Sequence, residues 1–275
     1  MIDSNSYYDA IPPREIAHKV EDLGVSKSKL NTLSIFVLAL LAGAFISIGS
    51  ILYIFVMTGN TLGFGPGRFV GGIAFSIGLI MVVIAGAELF TGNNLIAMAW
   101  ASKKIKTKDV LRNWLISYVG NVAGSLGTAC FVYWAKLDVM SQGMVGSTAI
   151  NIAVGKINLS PSESFFRAVL CNALVCLAVW LTLGGRSVID KYVVIIFPVA
   201  AFVTIGLEHS IANWFFFPYA LLLDSGQTLD VTLMLNNILF VSFGNIFGGT
   251  VLVALVYWLA YLRPMNDNKL NNNVS

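Results

Sequence analysis

An acid, an imidazole and an amide lie close together in a stretch of sequence that is otherwise apolar. The stretch is TIGLEHSIANWFFFP at 204–218, and the three polar residues are Glu208, His209 and Asn213. Histidine titrates near neutral pH in its unperturbed state, and ionisable residues at membrane depth are functional as a rule. If the flanking residues lie in lipid, His209 could bind an anion or exchange a proton inside the membrane.

A second version of this pattern lies 120 residues earlier in the chain. AGAELFTGN at 85–93 and IGLEHSIAN at 205–213 share the pattern Gly-x-Glu-x-x-x-x-Asn. GNVAG at 120–124 and GNIFG at 244–248 form another pair, with an offset of 124. Two patterns with nearly equal offsets indicate two copies of one three-span unit. An odd number of spans per copy inverts the second copy relative to the first, as in many transport folds.

The repeat separates residues interpreted as structural from candidates for chemistry. Two acids and two amides recur in both copies, and we expect them to stabilise the loops by accepting hydrogen bonds from free backbone amides. They are Glu88, Asn93, Glu208 and Asn213. The copies differ where Leu89 corresponds to His209 and where Thr91 corresponds to Ile211. A lone buried histidine is more often a core residue, but its loop position and the unmatched Thr91 favour a functional role for His209.

The composition predicts the environment of these residues. The chain has 275 residues, of which 57% are hydrophobic and 11% are charged, and its mean hydropathy is +0.78. So few charges cannot cover a water-soluble globule, and about 20 apolar residues cross a bilayer as a helix. Apolar blocks of about that length or more lie at 33–57, 69–100, 113–135, 165–183, 192–223 and 235–262. We therefore predict an all-α membrane protein with six transmembrane helices.

Two of these blocks, 69–100 and 192–223, are too long for a single span, and each contains one Gly-x-Glu-x-x-x-x-Asn element. We interpret them as broken helices, in which a non-helical turn separates two half-helices. Such a turn is tolerated at membrane depth only inside protein or beside a water-filled cavity. The free N–H groups at the break also favour an anion.

The Lys and Arg residues predict the orientation. With six spans, 13 of the 17 basic side chains fall on the side of both chain termini. The other side has Arg68, Lys136, Lys156 and Arg167. The positive-inside rule therefore predicts that both termini are cytoplasmic. The net charge of +3 reflects this asymmetry rather than a patch for nucleic acid.

Three parts are predicted along the chain: a cytoplasmic N-terminal segment at 1–32, a six-span transmembrane domain at 33–262 and a cytoplasmic tail at 263–275. The first part is expected to contain an amphipathic helix. Its apolar face would be formed by Ile11, Ile16, Ala17 and Val20. The cysteines are expected to be free thiols inside spans rather than metal ligands, because their number is odd and their spacing is unsuitable. They are Cys130, Cys171 and Cys176.

Several segments, in matching order, resemble the formate/nitrite transporter family. They are FSIGLIMVVIAGAELFTGN (75–93), SYVGNVAGS (117–125), AVLCNALVCLAVW (168–180), GRSVIDK (185–191), FVTIGLEHSIAN (202–213) and GNIFGG (244–249). GRSVIDK and EHSIAN are most similar to the formate-channel branch, whereas ELFTG is shared with nitrite and hydrosulfide members. The resemblance implies an aquaporin-like protomer with an inverted 3+3 repeat and broken second and fifth helices. It also implies a homopentamer with one pore in each protomer.

The resemblance further implies roles for individual pore residues. Thr91 and His209 match the central polar pair, Asn237 matches an asparagine that accompanies it, and Lys156 matches a lysine of the outer vestibule. Asn172 is assigned to the loop-stabilising group. Two apolar constrictions are implied, one on each side of the histidine. They would be formed by Phe75, Leu79, Leu89, Phe90, Val175 and Phe202.

The implied function is transport of formate or a similar small anion across the cytoplasmic membrane. Its pH dependence would arise at His209, with proton coupling if the proton crosses with the anion. The partners would be the anion, protons and membrane lipid, with no cofactor, metal or nucleic acid, and the protein would not be an enzyme. Nitrite and hydrosulfide are alternative substrates, followed by lactate and acetate, and Trp214 and Phe240 depart from the family pattern. A membrane enzyme that pairs His209 with Glu208, and a sensor without flux, are the alternatives from other classes.

Overall fold

The computed structural model describes residues 10–224 and 229–263, which contain helices and no β-strand. Six helical stretches in this part of the chain are long and apolar enough to cross a membrane. Their bounds are Thr32–Met57, Phe64–Ala85, Thr107–Trp134, Pro161–Gly184, Val188–Ile205 and Val231–Leu262. The prediction of an all-α protein with six spans is confirmed. Apart from Arg263, the predicted C-terminal tail lies outside the described residues.

Each half of the chain begins with a short helix that precedes its first span. The helices of the first half are α1 (Pro13–Ser28), α2 (Thr32–Met57), α3 (Phe64–Phe75), α4 (Ile77–Ala85), a 3₁₀ helix (Gly92–Ile96), α5 (Ala97–Ala101) and α6 (Thr107–Trp134). A 3₁₀ turn at Leu137–Val139 connects the halves. Those of the second half are α7 (Met144–Ile157), α8 (Pro161–Gly184), α9 (Val188–Ile205), α10 (Ser210–Leu223) and α11 (Val231–Phe247). Helix α11 continues through π-helical turns at Gly248–Leu255 and Trp258–Leu262.

Side-chain caps fix where the first span of each half begins. The Asn31 side chain accepts a 2.8 Å hydrogen bond from the Ser34 amide at the start of α2. At the start of α8, the Ser160 hydroxyl accepts from the Glu163 amide at 3.3 Å, and the Glu163 carboxylate accepts from the Ser160 amide at 2.9 Å. Both arrangements satisfy amides that a helix start would otherwise leave free.

The first and third spans of each half pack at backbone contact, with α2 against α6 and α8 against α11. A side chain at Gly124 would overlap the backbone of Leu40, and one at Gly248 would overlap the backbone of Val169. Glycine at these two positions therefore allows the helix axes to approach closely. The same pairing in both halves is consistent with the predicted repeat.

The helices end inside the two blocks that were interpreted as broken spans. Helix α4 ends at Gly86 with φ 82°, and helix α9 ends at Gly206 with φ 83°. Both values lie in the left-handed region that favours glycine. The chain becomes helical again only at Gly92 in the first half and at Ser210 in the second. Residues between these points are not helical, as the interpretation requires.

Helix α1 carries the predicted apolar face. Ile16, Ala17 and Val20 lie on this helix and are buried. Ile11 is also buried, but it precedes the helix, which begins at Pro13, so its place on the helical face was wrongly predicted. The face packs against protein rather than outward, because its partners include Met98 and Trp180. Polar contacts also hold the helix, since Lys104 forms an ion pair with Glu21 and the Ile11 amide donates to the Gly184 carbonyl oxygen at 3.0 Å. This packing places the C-terminal end of α1 beside the first broken span.

Candidate functional site

Two cavities approach each other from opposite ends of the described fold. One cavity, of about 330 Å³, is called the outer cavity after the predicted orientation and is lined by residues that include Lys156, Glu208 and His209. The inner cavity, of about 440 Å³, is lined by residues that include Lys27 and Glu88. The two share no lining residue. The two cavities are therefore separate, with other residues between them.

Four of the six predicted constriction residues lie where the cavities end. Phe75 and Phe202 line the outer cavity, and their rings meet edge to face with centroids 5.8 Å apart. Leu79 and Leu89 line the inner cavity. All four are at most 4% exposed and belong to one hydrophobic cluster. The segment between the cavities is thus an apolar barrier.

Thr91 and His209 meet within this barrier. The Thr91 hydroxyl lies 3.0 Å from Nε2 of His209, and both residues are buried. On the other side of the ring, Nδ1 accepts a 3.2 Å hydrogen bond from the Ala212 amide, so His209 is also the N-cap of α10. An Nδ1 atom that accepts a hydrogen bond carries no proton, and the neutral ring then has its proton on Nε2. His209 is therefore arranged as a neutral imidazole that donates from Nε2 toward Thr91.

The same Lys–Glu–Asn arrangement lies at each cavity, and its Lys and Glu line the cavity in both cases. In the inner cavity, Lys27 Nζ donates to one Glu88 oxygen at 2.7 Å and the Asn93 amide donates to the other at 2.7 Å. In the outer cavity, Lys156 Nζ donates to Glu208 at 2.9 Å and the Asn213 amide donates at 2.7 Å. The two glutamates are at most 4% exposed. A lysine therefore neutralises each buried carboxylate at the edge of the barrier.

These contacts change the expected role of the glutamates. The sequence predicted that Glu88 and Glu208 accept from free backbone amides, but their side chains bind Lys and Asn instead. A buried carboxylate is stable when it is paired with a cation and hydrogen-bonded, and the lysines are close enough to pair with it. The loop amides find other acceptors.

Those acceptors are Asn121 and Asn245, the asparagines of GNVAG and GNIFG. The Asn121 side chain accepts from the Phe90 amide at 2.8 Å and donates to the Glu88 carbonyl oxygen at 2.9 Å. The Asn245 side chain accepts from the Ser210 amide at 2.9 Å and donates to the Glu208 carbonyl oxygen at 3.1 Å. The two buried amides therefore stabilise the two breaks in the same way.

Asn237 does not occupy the position expected, whereas Asn172 contacts the first break, as its loop-stabilising assignment implies. Asn237 binds Asn213 at 2.8 Å and donates to the Lys156 carbonyl oxygen at 3.0 Å, with no hydrogen bond to Thr91 or His209. Asn172 instead lies beside Thr91 and donates to its carbonyl oxygen at 3.2 Å. The repeat explains the position of Asn237. It corresponds to Asn113 in the first half, whose side chain accepts a 2.9 Å hydrogen bond from Asn93 just as Asn237 accepts one from Asn213. Asn237 therefore belongs to the Lys–Glu–Asn network.

Phe90 and Val175 are buried but line neither cavity. The Phe90 ring meets Tyr118 edge to face, with centroids 4.9 Å apart. The Tyr118 hydroxyl accepts a 2.9 Å hydrogen bond from Trp214, one of the two departures from the family pattern. Trp214 therefore contacts Phe90 through Tyr118 and also packs against the cluster that contains the barrier residues. Phe240, the other departure, is half-buried and lines neither cavity.

Three functional residues were missed by the sequence analysis: Lys27, Asn121 and Asn245. The two asparagines lay inside quoted repeat elements but were not assigned a role. The signal for Lys27 is a third repeat element, because VSKSKL at 25–30 and VGKINL at 154–159 share Val-x-Lys-x-x-Leu at an offset of 129. That pattern aligns Lys27 with Lys156.

Comparisons with known proteins agree with this geometry. A family model described as formate/nitrite transporter matches residues 14–259. The chain is 37% identical over 279 aligned residues to the formate channel FocA of Escherichia coli (strain K12), covering 95% of this chain and 98% of that protein. It is 38% identical over 269 residues to a probable formate transporter of Methanothermobacter thermautotrophicus, covering 91% of this chain and 97% of that protein. A solved pentameric formate channel with formate bound matches with a TM-score of 0.78 at 38% identity, covering 84% of this chain and 98% of that one.

Proposed function

Because the chain belongs to the formate/nitrite transporter family, we propose that it conducts formate across the cytoplasmic membrane. Similarity to proteins named as formate channels supports formate as the anion. The pentameric state of the solved relative supports a homopentamer in which each protomer has its own pathway. The distribution of basic residues supports an orientation with both termini, and hence the inner cavity beside α1, on the cytoplasmic side.

One observation carries the proposal: a lysine-lined cavity on each side of an apolar barrier, with the Thr91–His209 pair inside it. Lys27 and Lys156 attract anions into the cavities. Their pairing with Glu88 and Glu208 leaves each of these pairs close to neutral, so an arriving anion is not trapped there. Attraction at both ends with weak binding is the arrangement that conduction requires.

The barrier determines the protonation state in which formate crosses. Moving a bare carboxylate into a medium of low dielectric constant costs on the order of 20 kcal/mol in the ideal Born limit. Burying an uncharged hydroxyl without a partner costs roughly 2–7 kcal/mol. Formate therefore crosses Phe75, Phe202, Leu79 and Leu89 most readily after it gains a proton and becomes formic acid.

Thr91 and His209 provide the polar contacts at the centre of this passage. The Nε2–H of His209 and the Thr91 hydroxyl are donors that stabilise a formate oxygen while formate takes a proton from hydronium in one cavity. Formic acid returns that proton to water in the other cavity, and His209 keeps its Nε2–H throughout. The Nδ1 atom stays bonded to the Ala212 amide, so the ring keeps its position during transfer. Transport then increases as the pH falls, because protonation accompanies entry into the barrier.

A transport assay with purified protein in liposomes tests the proposal. Labelled formate uptake is measured alone and with an excess of nitrite, hydrosulfide, lactate or acetate. We expect uptake well above that of protein-free liposomes, with formate itself the most effective competitor. Uptake equal to that of protein-free liposomes would overturn transport, and stronger competition by nitrite or hydrosulfide would assign the channel to that anion instead.

A further inference from the structure

The basic residues on the predicted outer side converge on one cavity. Arg68, Lys156 and Arg167 all line the outer cavity, although only Lys156 was expected there. The fourth basic residue on that side, Lys136, lies over the Tyr133 ring at 4.6 Å and does not line the cavity. Three cationic side chains therefore share one partly enclosed space.

The two arginines meet at a single residue, Gly206, where α9 ends. Arg68 Nη2 donates to the Val203 carbonyl oxygen at 3.2 Å, and Arg167 Nη1 donates to the Gly206 carbonyl oxygen at 3.4 Å. A Cβ atom at Gly206 would lie 2.8 Å from Arg68 Nη2. Both guanidinium groups thus flank the turn that leads to Glu208.

These two positive charges have little compensation within the described residues. Glu208 is the only acidic residue among those that line the cavity there, and it is paired with Lys156. Arg68 has no carboxylate within 4.0 Å in residues 10–224 and 229–263, and its Nε is buried without a hydrogen-bond partner. Arg167 lies 3.9 Å from Glu163, whose side chain is 53% exposed, and such exposed pairs are weak. The cavity therefore has an excess of positive charge.

Holding the turn does not by itself require arginine. At the repeat offsets of 129 and 120, the residues corresponding to Arg167 and Arg68 are Leu38 and Val188. The first break is nevertheless held, since the Glu88 amide donates to the Leu38 carbonyl oxygen at 3.2 Å. The two arginines beside the second break therefore have no charged equivalents beside the first break. Their charge is not explained by the need to hold the turn.

We propose that Arg68 and Arg167 form a docking site for one small monovalent oxyanion, such as a carboxylate, at the wall of the outer cavity. Guanidinium groups present paired N–H donors that match the two oxygens of a carboxylate. An anion there offsets the excess charge and reaches Lys156 and His209 through the same cavity. The role of this docking site in supplying the pathway rests on the proposed transport function. Binding of an anion to the site can be measured without transport.

The test is anion binding by the purified, assembled protein. Melting temperature is measured against sodium formate concentration for the wild type, Arg167→Gln, the double variant Arg68→Gln/Arg167→Gln and the control Lys136→Gln. Hydrogen bonds to charged groups contribute about 1.5–3 kcal/mol each, so the half-saturating formate concentration should rise at least roughly tenfold in the double variant. The Lys136→Gln protein should have the same half-saturating formate concentration as the wild type. It also loses one positive charge, so it controls for general effects of charge and salt.

An unchanged half-saturating concentration in the double variant, or an equal change in Lys136→Gln, would overturn the docking site. If the double variant does not assemble, Arg167→Gln decides alone. Its side chain is 40% exposed and its contact with Gly206 is long, so folding should tolerate the change. A severalfold rise supports the site and no rise refutes it. If formate binding depends on the arginines but no formate flux is measured, transport is refuted and the docking site stands. If formate flux is measured but binding does not depend on the arginines, the docking site is refuted and transport stands.

Discussion

Lys156 is bonded to Glu208 in the outer cavity as Lys27 is bonded to Glu88 in the inner cavity, at 2.9 and 2.7 Å. The Lys156 side chain is 16% exposed and the Glu208 side chain is 4% exposed. The pair therefore combines a buried carboxylate with a cation that still faces the cavity. This arrangement gives Lys156 a structural role besides its predicted attraction of anions.

The structural role of Lys156 predicts a recoverable loss of stability. Lys156→Gln should lower stability by about 1–3 kcal/mol, because a buried acceptor loses its partner. Adding Glu208→Gln should recover most of that loss, since no buried charge is left unpaired. Thermal unfolding of the purified proteins measures both effects, with Lys136→Gln as control. Additive losses in the double variant would contradict the pairing.

The two buried asparagines at the breaks should be needed for assembly. Asn121→Ala leaves the Phe90 amide and the Ala39 and Glu88 carbonyl oxygens without their partner. At about 1–3 kcal/mol for each unsatisfied group, the loss is comparable to the stability of a typical domain. We expect Asn121→Ala to yield little folded oligomer by size-exclusion chromatography, while the exposed Asn158→Ala behaves as wild type. Normal yield and melting of Asn121→Ala would show that the break is held by other contacts.

The fold was predictable because its signals are long and repeated. Six apolar blocks gave the spans, and the Gly-x-Glu-x-x-x-x-Asn pair gave the positions where α4 and α9 end. The site was less predictable because side-chain partners depend on tertiary contacts. Lys27 belongs to α1, outside the predicted transmembrane domain, and only the packing of that helix brings it to Glu88.

Asn237 and Asn172 illustrate the same limit. Both are buried polar residues on transmembrane helices, and the sequence does not specify which side of each helix faces the break. Once α8 and α11 are packed, Asn172 lies next to Thr91 and Asn237 lies next to Asn213. The pairing of Thr91 with His209, by contrast, was implied by the family resemblance, and the repeat added only that both residues lie where its two copies differ.

Removing the Thr91 hydroxyl should slow transport without unfolding the protein. Thr91→Val keeps the shape of the side chain but removes the partner of His209 Nε2. A net hydrogen bond contributes about 0.5–1.5 kcal/mol, so formate flux should fall roughly two- to tenfold. Liposome uptake measures the change. The matched control is Thr128→Val, whose hydroxyl donates to the Gly124 carbonyl oxygen of its own helix and has no other partner among the described residues. Equal flux in Thr91→Val and Thr128→Val would exclude the hydroxyl from the pathway.

The orientation is tested with reporters fused after Ser275. With 13 of 17 basic residues on the side of the termini, a C-terminal fusion should be active when the reporter functions only in the cytoplasm. A reporter that functions only after export should be inactive at the same position. The opposite pair of results would place the termini outside and would exchange the outer and inner cavities.

The pH profile of formate uptake in His209→Asn proteoliposomes tests the central claim most directly. Asparagine is a favourable N-cap residue, so it replaces the bond from Ala212 to Nδ1 and preserves the start of α10. It removes the Nε2–H donor beside Thr91, which we propose stabilises formate as it is protonated. Wild-type uptake, corrected for protein-free liposomes, should rise as the pH falls, because more of the entering formate is converted to formic acid, which crosses the apolar barrier at a lower cost. The account predicts that assembled His209→Asn loses this rise, and a mutant that keeps the wild-type profile would contradict it.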